Sequence, residues 1–260
     1  MSEAYFSDRA TAFPDNGPRL RYTLWNDVVD PIPGWLMRPA AIHTMDILED
    51  QARLGITGSL LEIGVYCGKY FSILAHYGGQ TDSTVIGIDP FELTDRARTA
   101  AAIEPAMTGD PDKVILHQGY SGDLRADDIR AMLGAPARFI SVDGSHERDD
   151  VFYDLGLAEQ LIAPGGVVAV DDFLNYVTPG VNEAVYAFYA TPRRLAPFAF
   201  IRNKLFLASP RWAGRYRAML TNKMMEDEVE AHSLFFRSRL QRSQSLAEAC
   251  YWGSPTLLVP

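Results

Sequence analysis

The 260-residue sequence predicts an α/β fold built on a mainly parallel sheet, and three observations predict it. Short apolar runs alternate with stretches of helical periodicity along most of the chain. The runs are almost continuously apolar, as strands covered on both faces must be. Near the end, two such runs, Leu195 to Ile201 and Leu205 to Ser209, are separated only by Arg202-Asn203-Lys204. That gap is too short for a helical crossover, so the last pair is an antiparallel hairpin.

Each element follows in order. Residues 58–66 (GSLLEIGVY) read as a buried strand entering a glycine-bearing turn, and Tyr70 to His76 as the helix behind it. Thr84 to Asp89 is the second strand and ends on a carboxylate. Arg96 to Met107 is Ala-rich and helical, and Lys113 to His117 is the third strand. Asp127 to Leu133 is helical, and Arg138 to Asp143 is the fourth strand, again ending on a carboxylate. Val151 to Ile162 carries apolar residues at helical spacing until Pro164-Gly165-Gly166 stops it. Val167 to Val170 is the fifth strand, followed by Asp171 and Asp172. Five parallel strands, a C-terminal antiparallel hairpin and helices on both faces result. Ala40 to Arg53 reads as a helix, and Arg211 to about Gln244 as one long polar-aromatic helix. The expected division is 1–55 as an N-terminal helical or lid segment, 56–210 as the core and 211–260 as a C-terminal helical extension.

Composition bounds the function. Hydrophobic residues at 47% and charged residues at 22% are ordinary for a globular chain that builds a full core. No apolar run approaches the roughly 18 residues of a membrane span. The opening MSEAYFSDRATAFPDNG lacks a charged-then-apolar signal pattern, and two cysteines, Cys67 and Cys250, fit a reducing compartment. A soluble, cytoplasmic protein is expected, with no membrane partner. The net charge of -9 argues against a nucleic-acid binder. Residues 191–243 are basic, however, with 11 Lys/Arg against 4 Asp/Glu. That stretch could face a phosphate-bearing substrate, the acidic body of another subunit in a homo-oligomer, or simply solvent.

In an open parallel sheet, ligands bind outside the carboxyl ends of the strands. Glu62, Gly64, Gly68, Asp89, Asp143, Asp171 and Asp172 therefore converge on one crevice. Gly64 and Gly68 remove side chains where the backbone approaches a ligand and turns into a helix. The turn is not G-x-G-x-x-G, so a dinucleotide fingerprint fits poorly. Asp89 can hold both hydroxyls of a ribose. His43, His76, His117 and His232 are scattered without ligand spacing and read as structural or exposed. Trp25, Trp35 and Met37 suit either a lid or simple packing.

Three motifs carry a resemblance. LEIGVYCG (61–68), GIDP (87–90) and QGYSGD (118–123) resemble, in order and spacing, class I S-adenosylmethionine-dependent methyltransferases, especially the metal-dependent O-methyltransferases. The Tyr66-Cys67-Gly68 triplet is similar to the first motif of the catechol O-methyltransferase group, and Ser121 matches an adenine contact. The resemblance covers roughly Ser59 to Tyr186 and implies a Rossmann-like class I methyltransferase sheet. It implies S-adenosylmethionine held by Glu62, Gly64, Tyr66, Gly68, Asp89, Ser121 and Asp143. It also implies Mg²⁺, or another divalent cation, on Asp143, Asp171 and Asp172. Such an ion acidifies and orients an alcohol and prefers oxygen ligands.

His146, three residues past Asp143, can then take the hydroxyl proton near neutral pH. The catechol enzymes carry a lysine at this offset. A histidine looks more like the macrocin O-methyltransferases, which methylate sugar hydroxyls of macrolide antibiotics. His146 and Asp143 are the expected catalytic residues, and a small hydroxylated molecule, a sugar or natural product, the expected substrate. Tyr70 stands where the family often has a serine, which leaves open whether Tyr70 or Lys69 meets the methionine carboxylate. Three other readings stay open: a non-catalytic S-adenosylmethionine-binding protein, a metal-dependent hydroxylase-like relative, and an NAD-type oxidoreductase on a similar fold. The carboxylate cluster speaks against the first and the last.

Overall fold

A computed structural model describes residues 21–259; the opening stretch discussed above and Pro260 lie outside the described residues. After a π-helical turn at Leu24–Val29, the elements are α1 (Arg38–Arg53), β1 (Ser59–Ile63), α2 (Lys69–Gln80), β2 (Val85–Asp89) and α3 (Arg96–Ile103). Then come β3 (Val114–Gln118), α4 (Ala126–Leu133), β4 (Ala137–Val142), α5 (Arg148–Leu161) and β5 (Ile162–Val170). The chain continues through α6 (Pro179–Phe188), β6 (Ala196–Ile201), β7 (Lys204–Ala208), α7 (Pro210–Glu226) and α8 (Ala231–Arg242). It closes with β8 (Glu248–Tyr251) and β9 (Ser254–Val259).

All strands form one sheet in the order β3-β2-β1-β4-β5-β7-β6-β9-β8. The first five are parallel, as the apolar runs require, and β7 pairs antiparallel with both β5 and β6. Strand order reverses between β1 and β4, which opens a crevice at their carboxyl ends. Register aligns what lies there. Ile63 pairs with Ile88 and with Val142, and Val142 pairs with Val170, so Gly64, Asp89, Asp143 and Asp171 come off the sheet in one row.

Strand residues alternate between two cores. Leu60, Phe139, Val167, Ala169 and Phe206 enter the cluster shared with α1, α2 and α7. Leu61, Ile140, Val142, Val168, Val170 and Leu205 enter the cluster shared with α4, α5 and α6. Each of those side chains is almost fully buried, and each contributes roughly 1–3 kcal/mol by leaving water.

The segment beyond 210 departs from the sequence reading. The single helix expected from Arg211 to about Gln244 is two helices. Asp227 turns the chain between them by accepting the amides of Val229 and Glu230 at 2.9 and 3.1 Å and the Ser233 hydroxyl at 2.8 Å. Nor is the extension only helical. β8 and β9 join at Trp252-Gly253, both at positive φ as a tight hairpin turn needs, and β9 runs parallel to β6. Helix α6 was also unanticipated. The basic stretch finds partners in its own chain: Lys223 lies 3.7 Å from Asp46, Arg215 3.7 Å from Asp50, and Arg217 3.4 Å from Glu248. Among the described residues no helix is long and apolar enough to cross a membrane.

Candidate active site

The turn after β1 is shaped by what cannot fit. At Gly64 (φ +87°) a Cβ would lie 1.8 Å from the carbonyl oxygen of Asp143, so the β1 and β4 ends can meet only through glycine. Gly68, also at φ +87°, starts α2, and a Cβ there would sit 2.4 Å from Ile103. Between them Asp89 acts as the clasp. One carboxylate oxygen accepts the Val65 and Tyr66 amides, both at 2.8 Å, and the other accepts the Phe91 amide at 2.6 Å. The residue expected to hold a ribose therefore also holds the loop that would cradle the cofactor. Tyr66 takes a left-handed backbone (φ +50°) and stacks on the exposed Trp35 with ring centroids 5.7 Å apart.

Glu62 is buried on β1, and its Oε2 has no hydrogen-bond partner. Burial first, and then the Asp171 and Asp89 carboxylates, push its pKa well above the usual carboxylate range against the pull of Lys204. A cationic ligand group at this position would relieve that carboxylate. Ser121 opens the turn after β3, and its side chain acts to lower the pKa of Asp154 of α5.

Tyr70 and Lys69, the two candidates for the methionine end, each have a partner within the chain. Tyr70 is buried, with its hydroxyl 2.8 Å from Thr44 Oγ1, and Lys69 Nζ donates to the Asp30 carbonyl at 3.0 Å.

At the ends of β4 and β5, His146 Nε2 lies 3.3 Å from Asp172 Oδ2 and 4.0 Å from Asp143 Oδ1. Asp172 sits at φ +56°, and its Oδ1 accepts side-chain amides from Asn175 at 2.8 Å and Asn203 at 2.9 Å. The turn carrying His146 is braced by α6, whose Gly180 would place a Cβ 2.3 Å from the His146 carbonyl oxygen. Asp143 is held well above the usual carboxylate range by burial first and by the neighbouring Asp171 charge second.

Asp171 goes elsewhere. Its Oδ1 lies 3.1 Å from Nζ of Lys204, a lysine only 1% exposed. Among the described residues no three His, Cys, Asp or Glu side chains form a ready metal cage. The donor chemistry still suits a hard divalent cation. Asp143 and Asp172, with side chains 26% and 15% exposed, offer carboxylate oxygens of the kind a hard divalent cation prefers.

Sequence reading missed three participants. Asn175 and Asn203 orient Asp172, and Lys204 claims Asp171. Asn203 and Lys204 lie in the short gap between two apolar runs and read there as turn residues.

Residues 61–173 match the model of a methyltransferase domain. That span starts on β1, contains the clasp and the β4 carboxylate, and ends just past Asp172. The fold outside it agrees. The chain is similar to the apo structure of CalS11, described as a TDP-rhamnose 3'-O-methyltransferase of calicheamicin biosynthesis. Identity is 18% over 74% of this chain and 92% of that one, with a TM-score of 0.52. It is similar to cofactor-bound Rv0187 from MTB at 16% identity, 75% and 90% coverage and a TM-score of 0.51. It is also similar to an O-methyltransferase from Bacillus cereus in complex with SAH, at 18% identity, 79% and 94% coverage and a TM-score of 0.50. These likenesses establish the shared class I methyltransferase fold, and so the Rossmann-like sheet expected from the motifs. No curated protein matches the chain.

Proposed function

We propose that this chain is an O-methyltransferase that moves the methyl group of S-adenosylmethionine to a hydroxyl of a small molecule, assisted by Mg²⁺ or a similar divalent cation. The observation that carries the reading is His146, set at the carboxyl ends of β4 and β5 between reach of Asp143 and Asp172. The row of Gly64, Asp89 and Asp143 faces the same crevice and suits a nucleoside-type methyl donor.

The chain's own residues divide the work. Asp89 accepts from the ribose hydroxyls while fixing the loop, and Glu62 faces the donor's ammonium end. His146 Nε2 takes the proton as the hydroxyl oxygen attacks the methyl carbon, and Asp172 stabilises the imidazolium that forms. The products are the methyl ether and S-adenosylhomocysteine. A cation held by Asp143 and Asp172 would supply the acidification and orientation of the alcohol.

Leu174, Tyr176 and Val177, all exposed, line the segment directly after Asp172 and offer an apolar lip for a larger acceptor. With the fold shared with CalS11, they make a hydroxyl of a sugar-bearing natural product the first substrate class to test. Action as a cytoplasmic homo-oligomer belongs to the same proposal.

The test is calorimetry with S-adenosylmethionine and with NAD, followed by transfer assays from labelled donor across hydroxylated acceptors. Assays run in chelator and again with Mg²⁺ restored. Binding of S-adenosylmethionine with metal-restored transfer supports the proposal. Binding of NAD alone overturns it, and full transfer in excess chelator removes the cation.

A further inference from the structure

Two consecutive aspartates leave β5 and go different ways. β7 runs antiparallel to β5 with Leu205 opposite Val170, so the register itself carries Lys204 to Asp171. The lysine is 1% exposed and its Nζ stands 3.1 Å from Asp171 Oδ1. The same ammonium lies 4.4 Å from the ring centroid of Tyr70, whose phenol Thr44 anchors at 2.8 Å. Neither Lys204 Nζ nor Asp171 Oδ1 has a hydrogen-bond partner elsewhere among the described residues. Asp172, one residue on, flips to a left-handed backbone and faces His146 instead.

We propose that Lys204 is a built-in counter-ion that takes Asp171 out of any divalent-cation ligand set, leaving Asp143 and Asp172 as the carboxylates that hold the ion. This deepens, and rests on, the divalent-cation reading above. The argument is one of partners. Drawing Asp171 onto a metal would break the closest ion pair of an ammonium buried beneath Tyr70, and a buried charge that loses its nearest partner is heavily penalised. A lysine so placed gives the carboxylate cluster a fixed positive charge without coordinating anything. Lys204 is thus a positioning residue, acting through Asp171.

The test uses the full chain and Mn²⁺ as the probe. Mn²⁺ affinity is measured by calorimetry for the parent, Asp171→Asn, Asp172→Asn and Lys204→Met. Asp172→Asn should weaken Mn²⁺ by about tenfold or more, while Asp171→Asn should change it by less than about threefold. Lys204→Met should bind Mn²⁺ more tightly than the parent, because it frees Asp171. An equal loss in the two aspartate variants overturns the proposal.

Thermal melting supplies a second readout that needs no metal. Lys204→Met leaves Asp171 buried and unpaired, so it should lower Tm, and the double variant Lys204→Met/Asp171→Asn should recover most of that loss. Additive losses overturn the counter-ion role. A parent that binds no Mn²⁺ but shows the recovery sinks the cation reading and upholds the pairing of Lys204 with Asp171.

Discussion

The Asp172 carboxylate lies 3.3 Å from Nε2 of His146, and two asparagines hold its other oxygen so that it cannot swing away. This is the arrangement of a base and the anion that steadies its charged form. His146→Ala should therefore lose about 10²- to 10⁴-fold in kcat, the usual worth of a positioned base, and a weakly acidic sugar hydroxyl should show the larger loss. Affinity for S-adenosylmethionine should largely hold, since of the residues expected to hold it only Asp143, 4.0 Å away, faces the imidazole. Comparing kcat with the calorimetric Kd separates the two. An unchanged kcat would make His146 a turn residue.

Asp89 carries two duties, and its variants should show both. The carboxylate takes three backbone amides, from Val65, Tyr66 and Phe91. Asp89→Ala strands those donors and removes the ribose acceptor, so affinity for S-adenosylmethionine should fall by about 1.5–3 kcal/mol, the scale of bonds to a charged group. Tm should fall with it, because the unmade amide bonds cost stability without any ligand. A Tm loss with undiminished affinity would leave Asp89 as a clasp alone.

The strands and their carboxylate ends were legible because a buried parallel strand must be continuously apolar and must stop where polarity begins. Asp89, Asp143 and Asp171 mark those stops in the sequence itself. Lys204 was not legible in the same way. Between two apolar runs it reads as part of a turn, and only the β5–β7 register reveals that it starts a strand and faces Asp171. β8 was hidden by its shortness and β9 by Pro255, which sits where a central strand would not tolerate it. α6 starts within Thr178-Pro179-Gly180, a stretch that looks like a turn until the proline is recognised as the first residue of a helix.

Long-range pairing also brings two histidines together that spacing had separated. His43 of α1 and His232 of α8 face each other through Nε2 atoms 3.1 Å apart, with Asp46 3.1 Å from the far nitrogen of His43. Glu230 lies 3.7 Å from the far nitrogen of His232, and Arg21 and Lys223 both reach Asp46. Burial, and for His43 the neighbouring imidazole next, lowers both pKa values. The sign follows. A depressed pKa gives stability that is present above the unfolded value of about 6.5 and is lost as pH falls through the folded one. Urea midpoints between pH 7.5 and 5 should therefore drop more steeply for the parent than for His232→Gln, which keeps a donor toward His43. Parallel slopes would show that the pair does not set acid sensitivity.

Asp154 makes the opposite prediction. Its side chain is 1% exposed, Oδ1 has no hydrogen-bond partner, and burial lifts its pKa to about 6 against a lowering contribution from Ser121. A raised carboxyl contributes stability that is full below the unfolded pKa, near 3.9, and is lost as pH rises through about 6. At neutral pH the parent thus folds around an ionised group it would rather keep protonated, at a cost of about 2–3 kcal/mol. Asp154→Asn mimics the protonated form in shape and hydrogen bonding. It should exceed the parent's stability at pH 7.5 by up to that amount and match it at pH 4. Urea unfolding of both proteins at the two pH values reads the difference directly, and the subtraction cancels every other titrating group. A gap of the same size at both values would trace the effect to packing against Gly144, whose added Cβ would lie 3.4 Å from Asp154 Oδ2, and not to charge.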